Sequence, residues 1–265
     1  MTPEAPDLTD DSFLDGRLKL LQPRVGYRAA TDPVLLAAAV PAGRGDSVLE
    51  LGCGAGAAAL CLAVRVPGLA RLAGVEIQPA YAALARRNAA RNAVALEVHE
   101  GDVAAMPAGL RGQVFDHVLA NPPFFPPDAP AAADAGRDRA LRESLPVGVW
   151  VDAGLRRLRS GGTLTMIHRV ARLPQILGAA EGRASVQVLP LQPRIGRDAG
   201  RMLVQARKGG RAEFRLLAPL VLHDGASHCR DGDDFSNEAM AILRDAAPIS
   251  GFRPLHRARR DPTCE

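Results

Sequence analysis

An α/β fold with a mostly parallel sheet and helices on both faces is predicted by three observations. Short apolar runs alternate with helical stretches through residues 46–168, the pattern of strand–helix–strand units. A glycine-rich turn, Glu50-Leu51-Gly52-Cys53-Gly54-Ala55-Gly56, follows one such run directly and opens a helix. Hydrophobic residues make up 47% of the 265, enough for a large core. No run reaches the roughly 18 apolar residues of a membrane span.

In chain order, residues 1–12 read as a frayed polar leader. They are acidic and contain proline, with neither the basic nor the apolar region of a secretory signal, so a cytoplasmic protein is expected. Residues 13–22 alternate apolar and basic and predict a short strand or hairpin arm. Thr31-Asp32-Pro33 before Val34, Leu35, Leu36 and an alanine run predicts a helix start, with a capping residue and then proline. Strands follow at 48–51, 72–76, 95–99 and 115–120, with helices at 57–64 and 79–91 between the first three.

Residues 126–137, rich in Pro, Ala and Asp, read as a mobile loop. A helix over 145–159 is expected to end on Gly161-Gly162 as its C-cap, before a fifth strand at 163–168. Segments 185–189, 201–206 and 214–222 are expected to complete the sheet, two of them as an antiparallel pair, and 236–245 to form a last short helix. The resulting organisation is an N-terminal arm and helix over the ligand site (1–45), the α/β domain (46–250) and a basic tail (251–265).

The formal charge is +4, and all basic residues except Lys19 and Lys208 are arginines, which bind phosphate bidentately and so permit a nucleic-acid substrate. Four cysteines, Cys53, Cys61, Cys229 and Cys264, lack metal-ligand spacing and read as free thiols. Six scattered histidines show no ligand spacing either, and no metal is expected.

Gly52, Gly54 and Gly56 let the backbone turn tightly and a ligand approach it. Alone they fit either a dinucleotide or another adenosine cofactor, because Gly52, Gly54 and Ala57 also match the dinucleotide pattern. Three acids favour S-adenosylmethionine. Glu50, ahead of the turn, would repel a pyrophosphate but can bind a cationic amino group. Glu76 ends the second strand, placed to accept both ribose hydroxyls, a feature shared with NAD enzymes. Asp102, in Gly101-Asp102-Val103 after the third strand, can accept from an adenine amine or serve as an ordinary turn acid. Cys53, Ile77 and Val103 are counted to the same cofactor surface.

Asn121-Pro122-Pro123-Phe124 begins at the end of the fourth strand, the ligand side of an open α/β sheet. An amide or aromatic amine is a poor nucleophile because its lone pair is delocalised. Acceptance of both N–H groups, by the Asn121 side-chain oxygen and the Pro122 carbonyl, aims the lone pair at a methyl donor. Pro122 and Pro123 preorganise these acceptors, and Phe124 offers a stacking face worth roughly 1–3 kcal/mol for a base. No dedicated general base is required, since the methylated cationic amine loses its proton readily.

Together these motifs resemble class I S-adenosylmethionine-dependent amine methyltransferases over residues 22–168. The resemblance implies a Rossmann-like seven-stranded, mostly parallel sheet with one antiparallel strand. Within that class, Gln22-Pro23-Arg24-Val25-Gly26-Tyr27-Arg28-Ala29-Ala30-Thr31-Asp32-Pro33-Val34-Leu35-Leu36 is similar to the leader of bacterial enzymes that methylate the adenine N6 next to the anticodon of a valine tRNA. That likeness implies Tyr27, Thr31 and Asp32 as residues at the cofactor's methionine end, and RNA, specifically tRNA, as partner. Asp32 can equally be a helix N-cap, worth about 1 kcal/mol. This chain departs from the family in carrying Phe124 where Tyr is common, which keeps the stacking face, and in its Ala/Pro-rich loop.

Three alternatives stay open. The amine can belong to a protein glutamine, as in release-factor methyltransferases, although about 45 residues before the first strand leave little room for their helical domain. It can be guanine N2 or cytosine N4. A non-catalytic cofactor- or RNA-binding protein would have no evident need for Asn-Pro-Pro-Phe. Arg137, Arg139 and Arg142 could grip phosphate or be a solvated helix start, and the tail arginines Arg253, Arg257, Arg259 and Arg260 could track an RNA backbone.

Overall fold

A computed structural model describes residues 8–123, 145–225, 234–253 and 255. Expectations for Phe124, the 126–137 loop, Arg137, Arg139, Arg142 and the tail beyond Leu255 lie outside the described residues.

The chain opens with a hairpin, β1 (Leu8–Phe13) against β2 (Leu18–Pro23), so residues 8–12 are paired strand rather than frayed leader. Helix α1 (Thr31–Ala39) follows, buried along its length from Pro33, as an all-apolar helix must be. Its N-cap is Ala30, with no side-chain hydrogen bond, so neither Thr31 nor Asp32 caps it. Asp32 sits in the first turn and pairs with Arg201 instead.

Alternation then proceeds through β3 (Ser47–Leu51), α2 (Ala57–Arg65), β4 (Arg71–Glu76), α3 (Pro79–Arg91), β5 (Glu97–Glu100) and β6 (Phe115–Ala120). After the undescribed segment come α4 (Val147–Arg157), β7 (Leu158–Arg169), α5 (Leu173–Ala180), β8 (Ala184–Gln192), β9 (Arg201–Lys208), β10 (Arg215–Leu216), β11 (Leu220–Val221) and α6 (Asn237–Asp245). Ser236 caps α6, accepting from the Ala239 amide at 3.2 Å.

Seven long strands run β5-β4-β3-β6-β7-β9-β8, with β10 and β11 extending the edge beside β8. Only β9 is antiparallel to its sheet neighbours, β7 and β8. The sheet is covered on both faces, as parallel sheets require. Leu119 and Ile167 join α1, α2 and α6 in one core, while Val118, Ala120 and Met166 join α4 and α5 in the other. Successive strand residues point to opposite faces, so one apolar run feeds both cores.

Two further expectations are corrected. Gly161-Gly162 does not cap a helix: α4 stops at Arg157 and β7 starts at Leu158. The glycines serve a strand irregularity, where pairing with β6 shifts register between Phe115 and His117. Gly161 has φ of +76°, and a Cβ on Gly162 would stand 2.7 Å from the Asp116 carbonyl oxygen. Segment 214–222 is not one strand but two short pieces separated by residues 217–219, where Pro219 lacks a ladder donor. Helix α5, with Pro174 in its first turn, falls in a stretch for which the sequence predicts no element. Among the described residues no helix is long and apolar enough to cross a membrane.

Candidate active site

A cavity of about 390 Å³ opens at the C-terminal ends of β3, β4 and β6. It takes Glu50, Gly52, Cys53 and Gly54 from the glycine turn, Glu76 and Ile77 from the end of β4, and Asp102 and Val103 from beyond β5. Asn121, Pro122 and Pro123, just past β6, also line its wall. Tyr27 reaches it from the β2–α1 connection, whereas Thr31, Asp32 and Gly56 are not among the lining residues.

The turn is built by backbone geometry. Gly52 has φ of +66° and lies so close to Trp150 that a Cβ would meet its ring at 2.9 Å. Gly54 has φ of +53°, and a Cβ there would meet nothing within 4 Å, so this backbone faces open space. Gly56, also left-handed, is the N-cap of α2 and packs toward Ala85 and Leu96.

Two buried carboxylates face this turn. Glu50, 3% exposed, accepts from the Ala59 amide at 2.8 Å in the first turn of α2. Burial pushes its pKa up to about 8; the amide hydrogen bond opposes the rise and Glu76 adds to it. Glu76, 6% exposed, accepts from the Gly54 and Gln78 amides, each at 2.8 Å. Its pKa is also raised by burial, against the pull of these amides. Both acids are thus held by backbone amides, and burial favours their neutral form until a cationic guest stabilises the ionised one. Asp102 accepts from the Ala104 amide at 2.8 Å, shaping its own turn. Burial drives the Cys53 thiol well above its ordinary pKa, so this wall of the cavity is a small neutral surface.

Asn121 Nδ2 donates to the Tyr27 hydroxyl at 3.3 Å. Burial raises the Tyr27 pKa, and Asp32 and Glu50 add to the rise, so the phenol stays neutral. Sequence reasoning did not single out Gln22, Gln78, Tyr81, Leu145 or Trp150, which also line the cavity. Trp150, the chain's single tryptophan, stands on α4, the first described helix after the tetrapeptide. Its solitary occurrence was the available signal, but only the fold brings it against Gly52. No group of three or more metal-ligating side chains occurs among the described residues.

A family model described as methyltransferase small domain matches residues 30–182. A Yersinia enterocolitica protein named tRNA1(Val) (adenine(37)-N6)-methyltransferase is 30% identical over 223 residues, 80% of this chain and 86% of that one. A Dickeya chrysanthemi protein of the same name is 26% identical, with 91% and 95% covered. Among solved structures, a predicted O-methyltransferase from Agrobacterium tumefaciens superposes with a TM-score of 0.66 at 30% identity, covering 82% of this chain and 98% of that one. The Thermus thermophilus 16S rRNA N2 G1207 methyltransferase, in complex with AdoMet and guanosine, has a TM-score of 0.52 at 21% identity. It is matched over 76% of this chain and 50% of its own, and shares the fold.

Proposed function

Because this chain belongs to the methyltransferase small domain family, an S-adenosylmethionine-dependent N-methyltransferase family, we propose that its substrate is the exocyclic N6 of an adenine in tRNA. The observation that carries this reading is that Asn121, Pro122 and Pro123 line the same cavity as Glu50 and Glu76. Support for adenine and tRNA comes from the names of the Yersinia and Dickeya relatives.

The residues fit the cofactor. Two amide-held carboxylates in a cavity floored by glycine backbone suit a guest that is cationic and carries hydroxyls, which stabilises their ionised form, whereas a pyrophosphate would oppose it. S-adenosylmethionine, when bound, would supply an electrophilic methyl group there, with S-adenosylhomocysteine as the product. Glu50, whose Oε2 is bound to Ala59, offers Oε1 to the amino group. Glu76 takes the ribose hydroxyls, Asp102 the adenine amine, and Gly52, Cys53, Gly54, Ile77 and Val103 supply backbone and apolar contact. Thr31 and Asp32 act from behind, Asp32 tying α1 to β9 through Arg201.

Asn121 Oδ1 and the Pro122 carbonyl accept the two N–H bonds of the substrate amine, and Phe124 stacks on its ring. An amine has two protons for these two acceptors, whereas a ribose or phenolic hydroxyl has one. That asymmetry favours nitrogen over the oxygen acceptor suggested by the Agrobacterium relative's description.

Support for RNA also comes from the rim. Arg169 ending β7 and Arg197 between β8 and β9 are exposed at the C-terminal edge of the sheet, and Arg24 is exposed two residues past the cavity-lining Gln22. The reading puts the enzyme with its tRNA in the cytoplasm.

Labelled cofactor mixed with bulk tRNA, or with ribosomal and release-factor protein, tests the proposal by nucleoside and peptide mass spectrometry. N6-methyladenosine in tRNA is expected. Label on a glutamine, on a ribose oxygen or on another base would overturn it. Asn121→Ala is expected to bind cofactor as tightly as wild type while transfer falls at least about a hundredfold.

A further inference from the structure

The chain has two tyrosines, both lining the cavity and joined to each other. The Tyr81 hydroxyl accepts from the Tyr27 amide at 3.0 Å and donates to the Tyr27 carbonyl at 3.2 Å. Tyr81 is 8% exposed in the first turn of α3, so this two-way clasp pins a loop residue to a packed helix. Tyr27 in turn receives the Asn121 Nδ2–H bond.

The direction of that bond matters. A side-chain amide has a donor end and an acceptor end, exchanged by rotation about its last torsion. With Nδ2 held by a tyrosine oxygen, Oδ1 is the end offered to the substrate. In the reverse orientation the site would confront the substrate N–H with another N–H. The neutral phenol suits this work, because it accepts from Asn121 without adding a charge beside Glu50.

We propose that Tyr27 is a positioning residue for methyl transfer: its hydroxyl, accepting from Nδ2, holds Asn121 in the orientation in which Oδ1 accepts from the substrate amine, and Tyr81 holds Tyr27 where it can do so. The proposal rests on the reading of Asn121 as amine acceptor.

Tyr27→Phe keeps the ring and removes the hydroxyl. Its kcat on tRNA is expected to fall about tenfold, with KM and Kd for the cofactor within about twofold of wild type. Tyr81→Phe should lower kcat less, and the double variant no further than Tyr27→Phe alone. In protein labelled with ¹⁵N-asparagine, the side-chain amide resonance that disappears in Asn121→Ala should shift and exchange faster in Tyr27→Phe. An unchanged kcat, a loss expressed only as weaker cofactor binding, or an unmoved Asn121 resonance would overturn the proposal. If Tyr27→Phe fails to fold, as judged by its melting transition, Tyr81→Phe carries the same comparison. If the wild-type enzyme leaves tRNA unmethylated, the substrate reading fails, and the amide resonance still decides whether Tyr27 holds Asn121.

Discussion

At the residue scale, Glu50 sets stability against function. It is 3% exposed, has one backbone donor, and its pKa stands at about 8 against an ordinary 4.5. Between those two values the folded chain holds a proton that the unfolded chain has released, so stability of the free protein falls as pH rises through that window. Glu76 is shifted in the same direction and steepens the fall. Binding of a cationic amino group has the opposite requirement, an ionised Glu50. Cofactor affinity is therefore expected to rise with pH, by at most about tenfold per unit, and to level off above pH 8 or so. Glu50→Gln separates the two demands. Calorimetric titration should show weak, nearly pH-independent cofactor binding, while thermal melts should show a variant whose Tm declines less than wild type between roughly pH 5 and 9. A variant that loses stability at alkaline pH as steeply as wild type would contradict the assignment of the proton to Glu50.

At the scale of elements, the β1–β2 hairpin is fastened to the cofactor turn by one buried side chain. Asn88 on α3, 0% exposed, accepts from the Leu21 amide at 2.8 Å and donates to the Leu21 and Ala55 carbonyls, each at 3.0 Å. Asn92 repeats the pattern on Lys19, so the free edge of β2 is capped by two asparagines one helical turn apart. Asn88→Ala strands three buried backbone groups and is expected to cost about 2–4 kcal/mol, lowering Tm by roughly 2–4 °C per kcal/mol. Cofactor affinity should fall with it, because Ala55 belongs to the turn. An Asn88→Ala protein with wild-type Tm and affinity would show that the hairpin is held elsewhere. Nothing in the sequence around Asn88 announces this bond, since its partners lie far away in the chain. Strands with an apolar run, and α3 with Pro79 at its start, are legible because local chemistry agrees with the final state. Gly161-Gly162 and the 214–222 segment mislead because sheet pairing and Pro219 decide them, and neither acts through local propensity.

At the scale of the molecule, the sheet gathers at one edge residues that the sequence scatters from position 22 to position 150. The glycine turn and Asn121-Pro122-Pro123 are legible beforehand because each is a contiguous motif whose backbone chemistry implies its use. Tyr81 and Trp150 are not, because they are ordinary helix residues until folding sets them beside Tyr27 and Gly52. Around that edge Arg24 after β2, Arg169 ending β7 and Arg197 between β8 and β9 are all exposed. Their neighbours Arg28, Arg194 and Arg201 are instead engaged by Asp11, Asp234 and Asp32. A tRNA laid across the mouth of the cavity would place its phosphates on the exposed three, releasing counterions as it binds. In the variant carrying Arg24→Ala, Arg169→Ala and Arg197→Ala, the slope of log affinity against log salt should become shallower by about two to three. The weakening should apply equally to cognate and non-cognate tRNA, since phosphate contacts carry no sequence information. Cofactor binding should stay unchanged, which separates a lost docking surface from a damaged site. Fluorescence anisotropy across a salt series makes the measurement, and an unaltered slope in the triple variant would mean that the RNA backbone does not run along this rim.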